Sequence, residues 1–446
     1  MRDERERRTI IEPKVLKGFR DFLPSMEIPK KAIINKLEAH FSLYGFVPID
    51  TPVLEYTEVL LGKGGGETDK QIFHFLDNGE RDVALRFDLT VPFARFLAQH
   101  QNELSLPFKR FHIDKVWRGE NPQKGRFREF TQCDFDIVGT DSAEADYEIL
   151  SMMESSFSVM GITDFQFCIA HRGLFNAFLA HLEVEEKSVE ILRCVDKLRK
   201  IGEQEVVSLL HEITSSQKKA EMIVQYITKE NPDESFLTTL ERLSTLAGNE
   251  TEHTSRMRTI YAYLQEAGIE THFTLDPSIT RGLDYYTGIV YETFLTKLPH
   301  FGSVCSGGRY NDLASLYTKE KLPGVGSSIG LDRLLAALEE LDSPLIKKAS
   351  SSDLIIFCQD ATLRSWYDQL ARTFRARKIR TDVYLLDKKM AAQFKYAEAN
   401  HIPFGLSCGK EEREAGKVSL KNLETRQSHP MISIEEAIAI ITKELF

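Results

Sequence analysis

The sequence predicts an α+β fold in several parts, and three observations carry that prediction. Two runs of alternating polar and apolar residues, 108–118 and 127–138, flank a Gly/Pro/Lys loop and read as paired strands. Residues 174–265 are dominated by helical patterns rich in Leu, Glu and Lys, and read as an inserted helical subdomain. From residue 353 onward, strand-like and helix-like runs alternate, the pattern of an α/β unit with a mostly parallel core.

At 446 residues, 42% hydrophobic and 28% charged, the chain is too long for a single core. Taken in order, residues 27–44 place Ile33, Ile34, Leu37, Phe41 and Tyr44 at helical spacing, with Gly45 set to end the helix. Phe46–Ile49 and the run bounded by Pro52 read as extended. Gly62-Lys-Gly-Gly-Gly-Glu-Thr68 reads as a loop, without the G-x-x-x-x-G-K-[S/T] spacing that cradles phosphate. Val83–Pro92 reads as a strand ending near Pro92. A helix is expected over 330–341, and 342–352 reads as a linker. The last part predicts strand 354–358, helix 362–378, strand 382–386, helix 388–399, strand 403–408, strands near 417–423 and 429–433, and helix 434–445.

Several function classes are disfavoured. No stretch approaches the roughly 18 consecutive apolar residues of a membrane span. The start, Met1-Arg-Asp-Glu-Arg-Glu-Arg-Arg8, mixes both signs without an apolar core, unlike a secretory signal or a transit peptide. The six cysteines are scattered with no Cys-x-x-Cys pair, which fits reduced thiols in the cytoplasm and offers no zinc site. A net charge of −10 does not suggest a nucleic-acid ligand, although local basic surface is what such a ligand needs. Residues 364–395 carry nine Lys or Arg against three Asp. A nucleic-acid contact and a solvated helix face both fit that segment.

The chemistry gathers on the strand pair. On the first strand His112, Asp114, Val116 and Arg118 share one face, and Phe111, Ile113 and Trp117 the other. On the second, Arg128, Phe130, Gln132, Asp134 and Asp136 share a face. One reading is a half-solvated sheet laced with ion pairs. The other is a floor for a charged substrate, because a triphosphate needs fixed cations, a purine a stacking ring, and an ammonium group acceptors. Gly324-Val-Gly-Ser-Ser-Ile-Gly-Leu-Asp-Arg-Leu334 adds close backbone approach and Arg333 early in the next helix. In Arg281-Gly-Leu-Asp-Tyr-Tyr-Thr-Gly288, two tyrosines give flat walls with polar tips beside a permanent cation.

These motifs resemble those of the histidyl-tRNA synthetases, a class II aminoacyl-tRNA synthetase family. Arg281–Gly288 resembles the signature that lines the histidine pocket, Trp117–Asp134 motif 2 in its histidyl form, and Gly324–Leu334 motif 3. The helix over 27–44 with its strand and Pro52 resembles motif 1. Lys17–Pro24, Leu85–Pro92, Ser306-Gly-Gly-Arg-Tyr310 and Gln393-Phe-Lys-Tyr-Ala397 resemble further family segments, so the likeness runs from about 15 to 445.

The resemblance implies an antiparallel six- or seven-stranded sheet flanked by helices, split by the helical insertion into residues 1–173 and 266–341. It also implies a C-terminal α/β anticodon-binding domain over 353–446, and a homodimer. The implied activity is histidine–tRNA ligation: histidine and ATP give histidyl-adenylate and pyrophosphate, and the histidyl group then passes to the 3′ end of tRNA(His). The implied ATP site is Arg118 on the α-phosphate, Arg126 and Arg333 on the β- and γ-phosphates, Glu120 at adenine and Phe130 stacked on it. Mg²⁺ should bridge the phosphates, through ligands the sequence does not name. The implied histidine site has Asp88, Thr90 and Gln132 at the ammonium, Tyr285 and Tyr286 beside the imidazole with Asp136 nearby, and Arg281 at the α-phosphate from the histidine side. Arg281 and Arg118 are the implied catalytic pair. One departure is Arg86-Phe-Asp-Leu-Thr90, where many bacterial members carry Arg-Pro-Glu-Gly-Thr; Asp88 keeps a carboxylate there. The rival implication is a synthetase-like regulatory subunit of ATP phosphoribosyltransferase, which usually lacks the C-terminal domain retained here.

Overall fold

The computed structural model of the chain describes residues 11–62, 71–229, 231, 233–249, 251–279, 285–346 and 350–445. The Gly62–Thr68 loop lies mostly outside them. Contacts gather the chain into two compact units: residues 33–341 with those up to Asp21, and residues 342–446 with Phe22–Ala32.

The strands of the first unit are β1 (Val47–Pro48), β2 (Leu54–Tyr56), β3 (His74–Leu76), β4 (Asp82–Leu85), β5 (Phe108–Trp117), β6 (Glu129–Val138), β7 (Phe165–His171), β8 (Phe273–Leu275), β9 (Ile289–Leu295), β10 (Cys305–Tyr310) and β11 (Gly324–Gly330). Eight of them form the main sheet in the order β1-β5-β6-β11-β10-β9-β7-β8, and β2-β4-β3 form a small one. The expected six or seven strands are therefore eight among the described residues. The additions are short outer strands, and both outer pairings, β1 with β5 and β7 with β8, are parallel while the centre is antiparallel.

Strand parity positions the site. The odd residues Phe111, Cys133, Phe135 and Ile137 of β5 and β6 are apolar, and their face packs under the helix Pro24–Leu43, where the Phe41 ring lies 5.6 Å from Phe111 and 5.0 Å from Phe135. Ile33 and Leu37 are buried with Phe41, and Gly45, at φ +77°, turns the chain out of that helix. The even, polar residues face the other way and are buried too: Arg110, His112, Asp134 and Asp136 are each at most 4% exposed. The half-solvated alternative is thus excluded.

The cover over that polar face corrects the expected Val83–Pro92 strand. The strand stops at Leu85, and a helix runs Thr90–His100 with Pro92 in its first turn, where a missing N–H costs nothing. The Asp88 carboxylate accepts the Val91 N–H at 3.0 Å and holds the turn. Phe93 of this helix lies 4.2 Å from the Arg110 guanidinium.

Helices fill the region between β7 and β8, from Arg172–His181 through Glu203–Thr214 and Gln217–Ile227 to Glu252–Glu266. Ser215, at φ +57°, ends one of them and Ser216 caps the next, which matches the expected break near 215–219. A buried ion-pair chain ties this region to the sheet. Arg309 of β10 donates to Asp146 at 2.8 Å, and Arg256 of the last helix donates to Asp146 and Asp141, both at 2.7 Å.

The second unit holds β12 (Leu354–Ile356), β13 (Thr381–Val383), β14 (Phe404–Ser407), β15 (Lys417–Asn422) and β16 (Ser428–Ser433), in the order β13-β12-β14-β15-β16. Only the pairings of β12 are parallel, so the expected mostly parallel core is half so. The link from β15 to β16 is too short for a crossover helix. Gln393, fully buried, accepts the Cys358 N–H and donates to the Cys358 and Lys388 carbonyls, which staples its helix to the end of β12. The basic segment is partly engaged internally: Arg364 pairs with Asp368, Arg375 donates to the Thr381 carbonyl, and Arg380 pairs with Asp353.

Candidate active site

A cleft of about 640 Å³ opens in the first unit, lined by Arg118, Glu120, Arg126, Phe130, Gln132, Glu292 and Arg333, among others. Two of the three guanidiniums are anchored on backbone carbonyls. Arg118, just past β5, donates from Nε to the Phe87 carbonyl at 2.9 Å and lies 5.2 Å from the Phe130 ring. Arg333 donates to the Ser303 carbonyl at 2.6 Å; burial and the nearby Arg126 cation bring it down to about 10, still charged at neutral pH. Arg126 is half-exposed and donates to Glu120 at 3.0 Å. The carboxylate implied for adenine thus holds an arginine here.

Gln132 and Ser328, which line the cleft, lead from it to a cluster of buried polar groups. Tyr285 donates to Asp88 at 3.3 Å, and its ring stands 5.0 Å from that of Tyr286 and 5.9 Å from that of Tyr310. Thr90 sits at the start of the covering helix, within hydrogen-bonding range of Tyr285. Asp136 accepts the Tyr310 hydroxyl at 2.6 Å and lies 2.6 Å from Arg110. A Cβ on Gly326 would fall 1.9 Å from Asp136 Oδ1, which is why that strand carries glycine there. Gln132 donates to Ser328 at 2.7 Å. Burial pushes the carboxyls of Asp88 and Asp136 up, and Asp134 up to about 7. Arg281 lies outside the described residues.

The structure therefore brings Arg118, Glu120, Arg126, Phe130, Gln132 and Arg333 into one cleft, and Asp88, Thr90, Asp136, Tyr285 and Tyr286 into one buried cluster. Sequence reasoning missed Arg110, although its even number already put it on the polar face. It also missed Asp332, which accepts the Thr131 N–H at 2.6 Å and Arg20 at 2.7 Å, and so ties the segment Lys17–Pro24 to motif 2 and motif 3. Arg20 is 312 positions from Asp332, and no local signal joins them.

Among the described residues, one group has metal-ligand spacing: Asp50, His112 and Asp114. It is held by guanidinium instead. Arg86 lies 2.5 Å from Asp114, and burial with the Arg110 and Arg86 cations holds His112 at about 3, so the Asp50 carboxylate at 3.4 Å meets a neutral ring.

Residues 18–334 match the model of the histidyl-tRNA synthetases, and residues 353–444 that of an anticodon binding domain. The chain belongs to the histidyl-tRNA synthetase family. A histidine–tRNA ligase of Treponema denticola is 54% identical over 96% of this chain and 98% of its own. The crystal structure of a histidyl-tRNA synthetase from Nostoc superposes with a TM-score of 0.87 at 30% identity, covering 98% of this chain and all of that one. An ATP phosphoribosyltransferase regulatory subunit/histidyl-tRNA synthetase from Bacillus halodurans shares the fold, with a TM-score of 0.72 at 24% identity over 86% of this chain and 97% of that one. The class II synthetase architecture is that of the family.

Proposed function

We propose that the cleft binds ATP and the pocket behind it binds histidine, so that the chain works as a histidine–tRNA ligase, a class II aminoacyl-tRNA synthetase. The observation that carries this reading is the convergence of Arg118, Arg126 and Arg333 on a cleft floored by Phe130, next to a buried carboxyl pocket walled by Tyr285 and Tyr286. A histidine carboxylate oxygen attacks the ATP α-phosphorus and pyrophosphate leaves. The 3′-terminal hydroxyl of tRNA(His) then attacks the adenylate carbonyl and AMP leaves.

Such transfer depends on positioning and charge neutralisation. Arg118 holds the α-phosphate, with Arg281 opposite it from the histidine side, and the two stabilise the charge that develops there. Because the backbone already fixes the Arg118 Nε, little reorganisation is needed as the reaction proceeds. Arg333 and Arg126 take the β- and γ-phosphates, Phe130 stacks on adenine, and Glu120 reaches adenine once ATP draws Arg126 away. Asp88, Thr90 and Gln132 receive the ammonium, and Tyr285, Tyr286 and Asp136 border the imidazole. Mg²⁺ would neutralise phosphate charge in this cleft, where Glu292 offers a carboxylate.

In this reading residues 1–173 and 266–341 form the catalytic domain, 174–265 an insertion over the tRNA acceptor stem, and 353–446, after a linker at 342–352, the domain that binds the anticodon. A homodimer is supported by exposed Leu43, Val47, Val53, Leu54, Tyr56 and Phe75 on the motif 1 helix end and the strands that follow. No helix among the described residues is long and apolar enough to cross a membrane. A cytoplasmic setting is part of this reading, since the reaction needs tRNA. The matched anticodon-binding segment weighs against the regulatory-subunit alternative. The test is ATP–pyrophosphate exchange with purified protein: dependence on histidine alone among amino acids, lost in Arg281→Ala, is expected, and histidine binding without exchange would favour the regulatory subunit.

A further inference from the structure

The pocket holds more acid than base. Three buried carboxyls, Asp88, Asp134 and Asp136, surround one fully buried guanidinium, Arg110. Two of the acids have partners. Asp88 accepts the Val91 N–H and the Tyr285 hydroxyl, and lies in the field of Arg118. Asp136 holds Arg110 and accepts from Tyr310.

Asp134 has less. Ser328, its partner across β11, offers a hydroxyl, but Asp134 Oδ1 is buried with no hydrogen-bond partner among the described residues. The Arg110 cation favours the ionised form of Asp134 but is already paired with Asp136, and the charges of Asp136 and Asp88 work against it. His112, opposite on β5, is a neutral ring, and burial keeps the phenols of Tyr285 and Tyr286 and the thiol of Cys305 protonated. Gln132 Oε1, two residues earlier on the same face of β6, is a second buried oxygen with no partner among the described residues. A native fold rarely leaves such acceptors unmade unless a ligand completes them.

We infer that Asp134 is a further binding residue for the amino-acid substrate, and that its Oδ1 accepts the imidazole N–H. This rests on the reading of the pocket proposed above. An ammonium group at Gln132 directs the substrate side chain inward along β6, and Asp134 is the next inward-facing residue. A side chain of similar size without an N–H would leave the acid unpaired, so the same contact selects for histidine. It also links binding to protons. In the free protein burial holds Asp134 up at about 7, and an N–H donor favours the ionised form, so histidine binding releases a proton.

The experiment is calorimetric titration of the full chain with histidine at pH 7 and pH 8.5, in buffers of differing ionisation enthalpy, for the wild type and Asp134→Asn. At pH 7 the wild type should release about three-quarters of a proton, where the ring of free histidine alone supplies about a quarter. The release should nearly vanish at pH 8.5. Asp134→Asn should lose the excess and bind histidine about ten- to a hundredfold more weakly, with the KM for ATP unchanged. Release of only the ring's share by the wild type overturns the inference without any variant, as does an Asp134→Asn protein that binds with unchanged affinity and proton count. Wild-type ATP–pyrophosphate exchange separates the two readings. If it is absent, the pocket assignment fails and this inference with it; if it is present and Asp134→Asn matches wild type, only this inference fails.

Discussion

In the five-stranded sheet, Leu354 and Ile356 are buried on one face of β12 and Ile355, with the adjoining Phe357, on the other. In the eight-stranded sheet, the central β5–β6 pair buries Phe111 and Phe135 on one face but Arg110, Asp134 and Asp136 on the other. Apolar burial on both faces stabilises a sheet directly. A buried charged face does not, since desolvation offsets most of what ion pairing returns. The first pattern belongs to a scaffold; the second is kept for what it binds.

The contrast can be broken first where the effect is largest. Arg118→Ala should lower histidine-dependent ATP–pyrophosphate exchange by about a hundred- to a thousandfold with little change in melting. Leu406→Ala, wholly buried in the other sheet, should destabilise its unit by about 2–5 kcal/mol and impair tRNA charging while exchange stays near wild type. Equal loss of exchange in both would show that the sheets do not divide their work.

A matched pair of glycines sharpens the point. A Cβ on Gly326 would meet Asp136 at 1.9 Å, and one on Gly405 would meet Phe357 at 2.5 Å. Each alanine variant should lose about 1–3 kcal/mol in denaturant titration, but only Gly326→Ala should raise the KM for histidine.

The first unit, unlike the second, also holds carboxyls that burial raises. Asp134 is raised to about 7, so between about pH 4 and pH 7 the folded state keeps a proton that the unfolded chain has released. Asp134 should therefore contribute stability to the first unit that is lost as pH rises through that window, opposite in sign to the lowered Asp77 and Asp114, and Asp134→Asn should remove that contribution. Asp360 and Glu436 are held low by hydrogen bonds, so the second unit should weaken as pH falls through the ordinary carboxylate range. The chain has two tryptophans, Trp117 and Trp366, one in each unit, so fluorescence of Trp117→Phe and Trp366→Phe reads them separately.

The smallest effect is expected from charge reversal at Lys388 and Lys389. The KM for tRNA should rise a few-fold, more at low salt, with exchange unchanged.

Strand parity made much of this legible in advance. With β5 and β6 aligned as a pair, counting in twos gives the inward face, Arg110 included, although that residue was passed over. What covers that face was not legible, because Val83–Pro92 reads as one apolar run and the switch to helix at Thr90 depends on the Asp88 carboxylate capping a turn. The surplus of acid was hidden for the same reason: alternation reveals a face but not its depth. Contacts such as Arg20 with Asp332 join opposite ends of the unit and leave no periodic trace.

The chain from Arg309 through Asp146 to Arg256 bears on how this molecule can be rebuilt. A helical stretch between two strands invites excision as a cassette, or replacement by one from a relative. Here the last helix supplies one of the two guanidiniums on a carboxylate that is 0% exposed, and the other comes from the strand beside Thr287, whose N–H donates to the Arg309 carbonyl at 2.8 Å. A graft that omitted Arg256 would leave that acid underneutralised. Transplants should therefore take Asp141, Asp146 and Arg309 along with the helices as one heritable block.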